Sequence, residues 1–222
     1  ATRLSPMHDA LAESGAEFTD AGLWKRAWYF PKEGESLAEA YVREARMVRQ
    51  TVGVVDVTTL GKIAVQGPDA AEFLNRVYVN GFGKLPVMKC RYGVMLRDDG
   101  MVMDDGVSWR LAEDEFLMTC TTANAGKVMA WLERLLAQRW PELRVHVASA
   151  TDQWAGVAMA GPKAREALSR ALASGDVSNA ALPFMGIAQA EIAVECGTIP
   201  AMIARFLFSG ALAFEIYTPA GF

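Results

Sequence analysis

Apolar and polar positions follow two different rhythms along this chain, and the switches between them mark its elements. In "LAEAYVREARMVRQT" (residues 37–51), Leu37, Ala40, Tyr41, Ala45 and Val48 recur at helical spacing with charges opposite. That pattern predicts an amphipathic surface helix ending near Thr51. Ser36 and Glu39 open it at capping-box spacing, each able to satisfy the other's free amide. The stretch "CRYGVMLRDDGMVMDDGVSWRLAEDEFLMTCT" reads as strand instead. It predicts strands over residues 92–96, 101–110 and 116–121, joined as an antiparallel meander by turns at Asp98-Asp99-Gly100 and Ala112-Glu113-Asp114. "ANAGKVMAWLERLLAQRW" returns to the helical period, with Val128, Trp131, Leu132 and Leu135 on its buried face and Pro141 as its stop. The last part is strand-rich, with breaks at Gly197 and Ser209-Gly210.

One pattern occurs twice. Aligning Ile63 with Val157 puts Gly67-Pro68 on Gly161-Pro162, and Ala70, Glu72, Leu74 and Arg76 on Ala164, Glu166, Leu168 and Arg170. Both copies read as a strand, a Gly-Pro turn and a helix, with Asp69 or Lys163 near the helix start and the proline setting φ for its first turn. Two related α+β halves are expected rather than one continuous sheet.

Composition narrows the function classes. Of 222 residues, 52% are hydrophobic and 22% charged, the balance of a globular protein with a sizeable core. The net charge of −4 and the lack of any basic run argue against nucleic acid as a partner. No apolar segment approaches the roughly 20 residues of a membrane helix, so no membrane association is expected. The N-terminus lacks the order of a signal peptide. Three widely spaced cysteines, Cys90, Cys120 and Cys196, suit reduced thiols in a cytoplasmic protein better than a disulfide framework. The two histidines, His8 and His146, have no metal-ligand spacing, and no metal site is expected. "GFGKLP" begins G-x-G but lacks the third glycine and a leading strand, and no P-loop motif occurs, so nucleotide binding is unsupported. The chain stops just after a strand-like run, as a fragment of a longer protein does.

The candidate chemistry lies in carboxylates set among apolar residues: Asp104 and Asp105 in "MVMDDGVSWR", and Glu215 in "ALAFEIYTP". Neighbours on a strand point to opposite faces, so one aspartate faces solvent and the other a core or pocket. Unpaired burial of a carboxylate costs several kcal/mol, which requires partners. Backbone amides or Arg91, Arg110 or Arg205 could serve, in which case the carboxylates are structural. A ligand is the alternative.

The segments "VGVVDVTTLGKIAVQGPDAAEFLNRV", "YGVMLRDDGMVMDDGVSW", "TTANAGKV" and "FSGALAFEI", in this order, resemble the glycine-cleavage T-protein (aminomethyltransferase) family. "DVTTLGKIAVQGPDA" and "MHDALAESGAEF…W…YFP" are closest to one branch, the folate-binding C-terminal region of heterotetrameric sarcosine oxidase alpha subunits. The resemblance implies an α+β, T-protein-like fold of two ferredoxin-like units, without the family's third domain. The first unit is expected to be discontinuous, from residues 1–55 plus 150–222, and the second to span residues 56–149.

The resemblance also implies a function: binding tetrahydrofolate in a central cleft and passing it a one-carbon unit from a methylated amine. It implies other oxidase subunits as partners, with flavin and NAD held only in parts beyond this chain. By the family's motifs, Asp105 is the catalytic carboxylate beside the folate nitrogens, with Asp104 its solvent-facing neighbour. Glu215 binds the amino-pyrimidine side of the pterin, and Tyr92 and Thr121 add folate contacts. Two positions depart from the pattern: Gly210-Ala211 lacks a usual glutamate, and Phe208 replaces a usual tyrosine. Two other readings of the same resemblance are a non-catalytic folate-binding or subunit-docking scaffold, and a relative acting on another methylated donor.

Overall fold

A computed structural model of the chain describes residues 1–208 and 210–221. The break expected at Ser209 lies outside the described residues. The chain divides into two compact units, Leu60–Asp152 and the discontinuous Ala1–Thr59 with Gln153–Phe222. No helix among the described residues is long and apolar enough to cross a membrane.

The discontinuous unit begins with α1 (His8–Glu13), the hairpin β1 (Glu17–Ala21) and β2 (Trp24–Tyr29), α2 (Leu37–Gln50) and β3 (Gly53–Asp56). The expected capping box opens α2: Glu39 N–H donates to Ser36 Oγ, and Ser36 N–H donates to Glu39 Oε2 at 2.9 Å. Its inner face is narrower than the spacing suggested. Ala40 is buried and Leu37 and Val48 are half-buried, but Tyr41 and Ala45 are exposed. Polar anchoring turns the helix: Phe30 N–H donates to Glu44 at 2.8 Å, and Arg43 donates to Phe30 O and Glu35, both at 2.7 Å.

The continuous unit holds β4 (Gly61–Gln66), α3 (Ala70–Val77), β5 (Lys89–Leu96), β6 (Val102–Ala112), β7 (Glu115–Cys120), α4 (Ala125–Arg134) and β8 (His146–Ser149). Its described strands form one antiparallel sheet in the order β5-β6-β7-β4-β8. The predicted meander is therefore present as β5, β6 and β7. Phe73 and Leu74 of α3 and Val128 and Leu132 of α4 pack on Ile63, Val65, Phe116 and Met118, covering one sheet face. A π-helical turn, Leu135–Arg139, extends α4 to Trp140, and Trp131 is only partly buried. With β5 set aside as an extra edge strand, this is a β-α-β-β-α-β ferredoxin-like unit.

The chain then returns to the first unit with β9 (Trp154–Ala160), α5 (Ala164–Ala171), β10 (Leu172–Ser174), β11 (Ile187–Val194), β12 (Gly197–Phe206) and β13 (Ala213–Pro219). The sheet order is β10-β11-β12-β13-β9-β3. Here β3, preceded by α2, pairs with β9 as β8, preceded by α4, pairs with β4. The two units thus share one architecture, with the closing helix and strand moved to the front of the chain in the discontinuous one.

Local details repeat with the architecture. Thr58 Oγ1 accepts from Gly156 N–H at 3.0 Å, and Thr151 Oγ1 accepts from Lys62 N–H at 3.1 Å. Gly67 and Gly161 both have positive φ, +134° and +126°, with backbone oxygens of Arg144, or of Val48 and Thr51, where a Cβ would sit. Pro68 and Pro162 stand two residues ahead of the helices rather than in their first turns, because Ala70 N–H and Ala164 N–H first close turns onto Gly67 O and Gly161 O. The repeat also reaches "LPVM" and "LPFM" at Leu85 and Leu182. Arg110 and Arg205 donate to Leu85 O and Leu182 O, while Met88 and Met185 N–H donate back to Arg110 O and Arg205 O, both at 2.8 Å. Both methionines adopt left-handed backbone, φ 59° and 58°.

Candidate functional site

Alternation along β6 sends Asp104 and Ser108 to the helix-covered face of the five-stranded sheet, and Asp105 to the other. Asp104 is buried, 5% exposed, and its Oδ2 accepts from Thr121 N–H at 3.1 Å. Asp105 is half-buried, and its Oδ2 accepts from the Tyr92 hydroxyl at 2.8 Å. The expected assignment of Asp104 to solvent is therefore reversed. Strand alternation separates the two side chains but does not say which face the helices cover. The open carboxylate is Asp105, and the buried one is a hydrogen-bonded structural neighbour.

Tyr92 lies on β5 opposite Val107, one diagonal step from Asp105, and is 45% exposed. Its bond to the Asp105 carboxylate raises the Tyr92 phenol above the ordinary tyrosine range, with a smaller effect of burial. Gly93 follows it because the Tyr78 ring lies 2.6 Å from where a Cβ would stand. Thr121 is exposed just beyond β7, where its carbonyl accepts Asn124 N–H at 2.9 Å and starts the turn into α4. Tyr92 and Asp105 are thus joined directly, and Thr121 reaches the same strand through Asp104.

Two buried groups register this surrounding. Burial first, then the Asp104 charge, pushes the Cys120 thiol up to about 12. Burial likewise pushes the Tyr78 phenol up. Cys120 is a protonated core thiol, and Cys90 is also buried. Lys62, fully buried on β4 opposite Thr119, shares the Asp105 face and donates from Nζ to Leu60 O at 3.0 Å. Sequence reading passed over it, although a charge inside "GKIAVQG" carries the same signal as the aspartates.

In the other unit, Glu215 on β13 pairs with Ala204 and Ala158 and is 9% exposed. The Tyr217 hydroxyl donates to Glu215 Oε2 at 3.0 Å. Burial and then the Glu215 charge hold the Tyr217 phenol well above its ordinary range. Gly156 makes room, since a Cβ there would collide with the Tyr217 ring. Phe208 is 90% exposed. Of the arginines weighed as partners, Arg91 donates to Gly81 O, and Arg110 to Glu113 as well as Leu85 O. Arg205 donates to Leu182 O.

Among the described residues no cluster has the makings of a metal site. A cavity of about 600 Å³ beside the β5–β6 turn, with Arg97, Met103, Lys127 and Trp131 in its walls, includes none of Tyr92, Asp105, Thr121 or Glu215.

The duplicated, partly permuted ferredoxin-like arrangement matches the fold of a solved aminomethyltransferase. The aminomethyltransferase T of the glycine cleavage system from Bartonella henselae superposes with a TM-score of 0.79 at 25% identity, over 100% of this chain and 55% of that one. The chain belongs to the GCVT N-terminal domain family, whose model matches residues 7–222. Sarcosine oxidase subunit alpha of Corynebacterium sp. (strain P-1) is 51% identical over 218 residues, covering 98% of this chain. The alpha subunit of Rhizobium meliloti (strain 1021) is 49% identical over 221 residues, covering 99%. The chain spans 22% of the length of each of these two relatives.

Proposed function

We propose that this chain is the tetrahydrofolate-binding, one-carbon-transfer module of a protein like a sarcosine oxidase alpha subunit. The observation that carries the reading is the open Asp105 carboxylate, oriented by the Tyr92 hydroxyl, in a chain of this family. A methylated amine is the proposed donor, and other oxidase subunits the partners, since the relatives are themselves named as alpha subunits. Three free cysteines support a reducing, cytoplasmic setting.

The residues fit a folate. An ionised carboxylate offers only acceptors, about four lone-pair sites, and the amino-pyrimidine side of a pterin presents N–H donors. Glu215 supplies such a group, with Tyr217 orienting one oxygen. Bound tetrahydrofolate supplies the nitrogens that receive the one-carbon unit. Asp105 stabilises positive charge developing on nitrogen and moves a proton at its carboxylate. Tyr92 holds Asp105 in one orientation, and Thr121 offers an exposed hydroxyl.

Calorimetric titration of the full-length protein with a stable reduced folate tests this, beside Asp105→Asn and Glu215→Gln. Saturable binding that weakens in Glu215→Gln is expected. Absence of binding by the full-length protein at millimolar folate overturns the reading.

A further inference from the structure

The β6–β7 ladder stops short of the candidate carboxylate. Backbone pairing runs from Ala112↔Glu115 to Ser108↔Met118 and ends there, although β7 continues to Cys120 alongside β4. Beyond that point side chains do the joining. Thr119 Oγ1 accepts from Val107 N–H and donates to Val107 O, both at 3.1 Å. Asp104 then reaches from β6 to Thr121 N–H. Gly106 lies between these two links, with Thr119 O occupying the space of a Cβ.

The duplicated unit is an internal control. The matched registers Ser108↔Met118 and Ile203↔Ile216 place Asp104 on Ile199 and Thr121 on Pro219. There the carboxylate is gone, and so is the N–H it would accept, because proline has none. The position matching Asp105 is Pro200. The acceptor, the donor and the open carboxylate occur together in one copy and are all missing from the other.

We propose that Asp104 is a positioning residue for the Asp105 site: by binding Thr121 N–H it anchors the corner after β7 to β6. That bond fixes the strand segment from which Asp105 meets Tyr92. The proposal rests on the reading of Asp105 as the functional carboxylate, but its first readout needs no folate.

The test compares Asp104→Asn, Asp104→Leu and Thr121→Pro with the parent chain. Asparagine keeps an acceptor oxygen. Proline deletes the N–H and suits the φ of −56° at position 121. The titration of Tyr92 is followed by NMR in ring-labelled protein and assigned with Tyr92→Phe. Asp104→Asn should keep the raised titration. Asp104→Leu and Thr121→Pro should each shift it back toward the ordinary tyrosine value, and the double variant no further. Reduced-folate affinity in the full-length protein should fall at least tenfold for Asp104→Leu and less than threefold for Asp104→Asn; Thr121→Pro, which also removes a hydroxyl offered to the folate, is judged by the Tyr92 titration alone. An unchanged Tyr92 titration in a folded Thr121→Pro variant overturns the proposal, as does an Asp104→Asn shift as large as that of Asp104→Leu. If Asp104→Leu fails to fold, Thr121→Pro decides. Loss of folate binding by the parent would sink the functional reading while leaving the Tyr92 result to judge Asp104.

Discussion

The Tyr92 hydroxyl and Asp105 Oδ2 stand 2.8 Å apart on adjacent strands, the exposed phenol donating to a half-buried carboxylate. A hydrogen bond to a charged group contributes about 1.5–3 kcal/mol when buried, and less at this exposure. Under the proposed function, Tyr92→Phe should lower kcat/KM for 5,10-methylene-tetrahydrofolate formation by the full-length protein about tenfold. Asp105→Asn should cost about 10²–10⁴-fold, the range of a lost general acid–base group. Thermal melting should show both variants folded, and equal activity of Asp105→Asn and parent would remove Asp105 from the chemistry.

Alkaline pH should destabilise the chain from about pH 9. Burial raises the Cys120 thiol from 9.0 to about 12, so the folded state retains a proton that the unfolded state releases. The contribution is fully present below pH 9 and is lost as the pH climbs toward about 12. One such group gives a slope of about 1.4 kcal/mol per pH unit. Urea unfolding at pH 8, 9 and 10 should show the decline, and Cys120→Ala should flatten its first part. Tyr78 and Tyr217, also raised, join above the ordinary tyrosine range.

Thiol chemistry should separate the cysteines. Cys196 is exposed, whereas Cys90 and Cys120 are buried. Ellman's reagent should find one fast thiol in the native chain and three in denaturant, and Cys196→Ser should abolish the fast phase.

The paired glycines give a stability test. Gly67→Ala and Gly161→Ala each force a Cβ against backbone oxygen at positive φ, at a cost of about 1–3 kcal/mol or more. Gly126, inside α4 with open space around it, is the control: Gly126→Ala should stabilise by roughly 0.5 kcal/mol. Chemical denaturation of the three variants measures the contrast.

Features written in nearby residues were legible before the fold was known. The Ser36–Glu39 box needs four residues, and the meander needs alternation with two turns. Other features depend on partners far along the chain. Which of Asp104 and Asp105 faces outward depends on where α3 and α4 settle, and that information is absent from β6 itself. The exposed Tyr41 reflects anchoring of Arg43 and Glu44 to Phe30. The Leu-Pro-x-Met repeat was short enough to pass unseen, and no propensity marks Met88 and Met185 for left-handed backbone. Their shared bonds to Arg110 and Arg205 reveal it.

The permutation has a consequence for biosynthesis. A ribosome delivers α2 and β3 long before β9, the strand that β3 must join, and all of Leu60–Asp152 emerges in between. Non-local pairing is entropically costly and slow, whereas a contiguous unit closes on itself. The continuous unit can therefore fold first, while β3 waits without the strand it pairs with. Order of folding then runs against order of synthesis, and a premature stop before β13 would leave a finished continuous unit in a chain whose discontinuous one lacks the strand between β12 and β9.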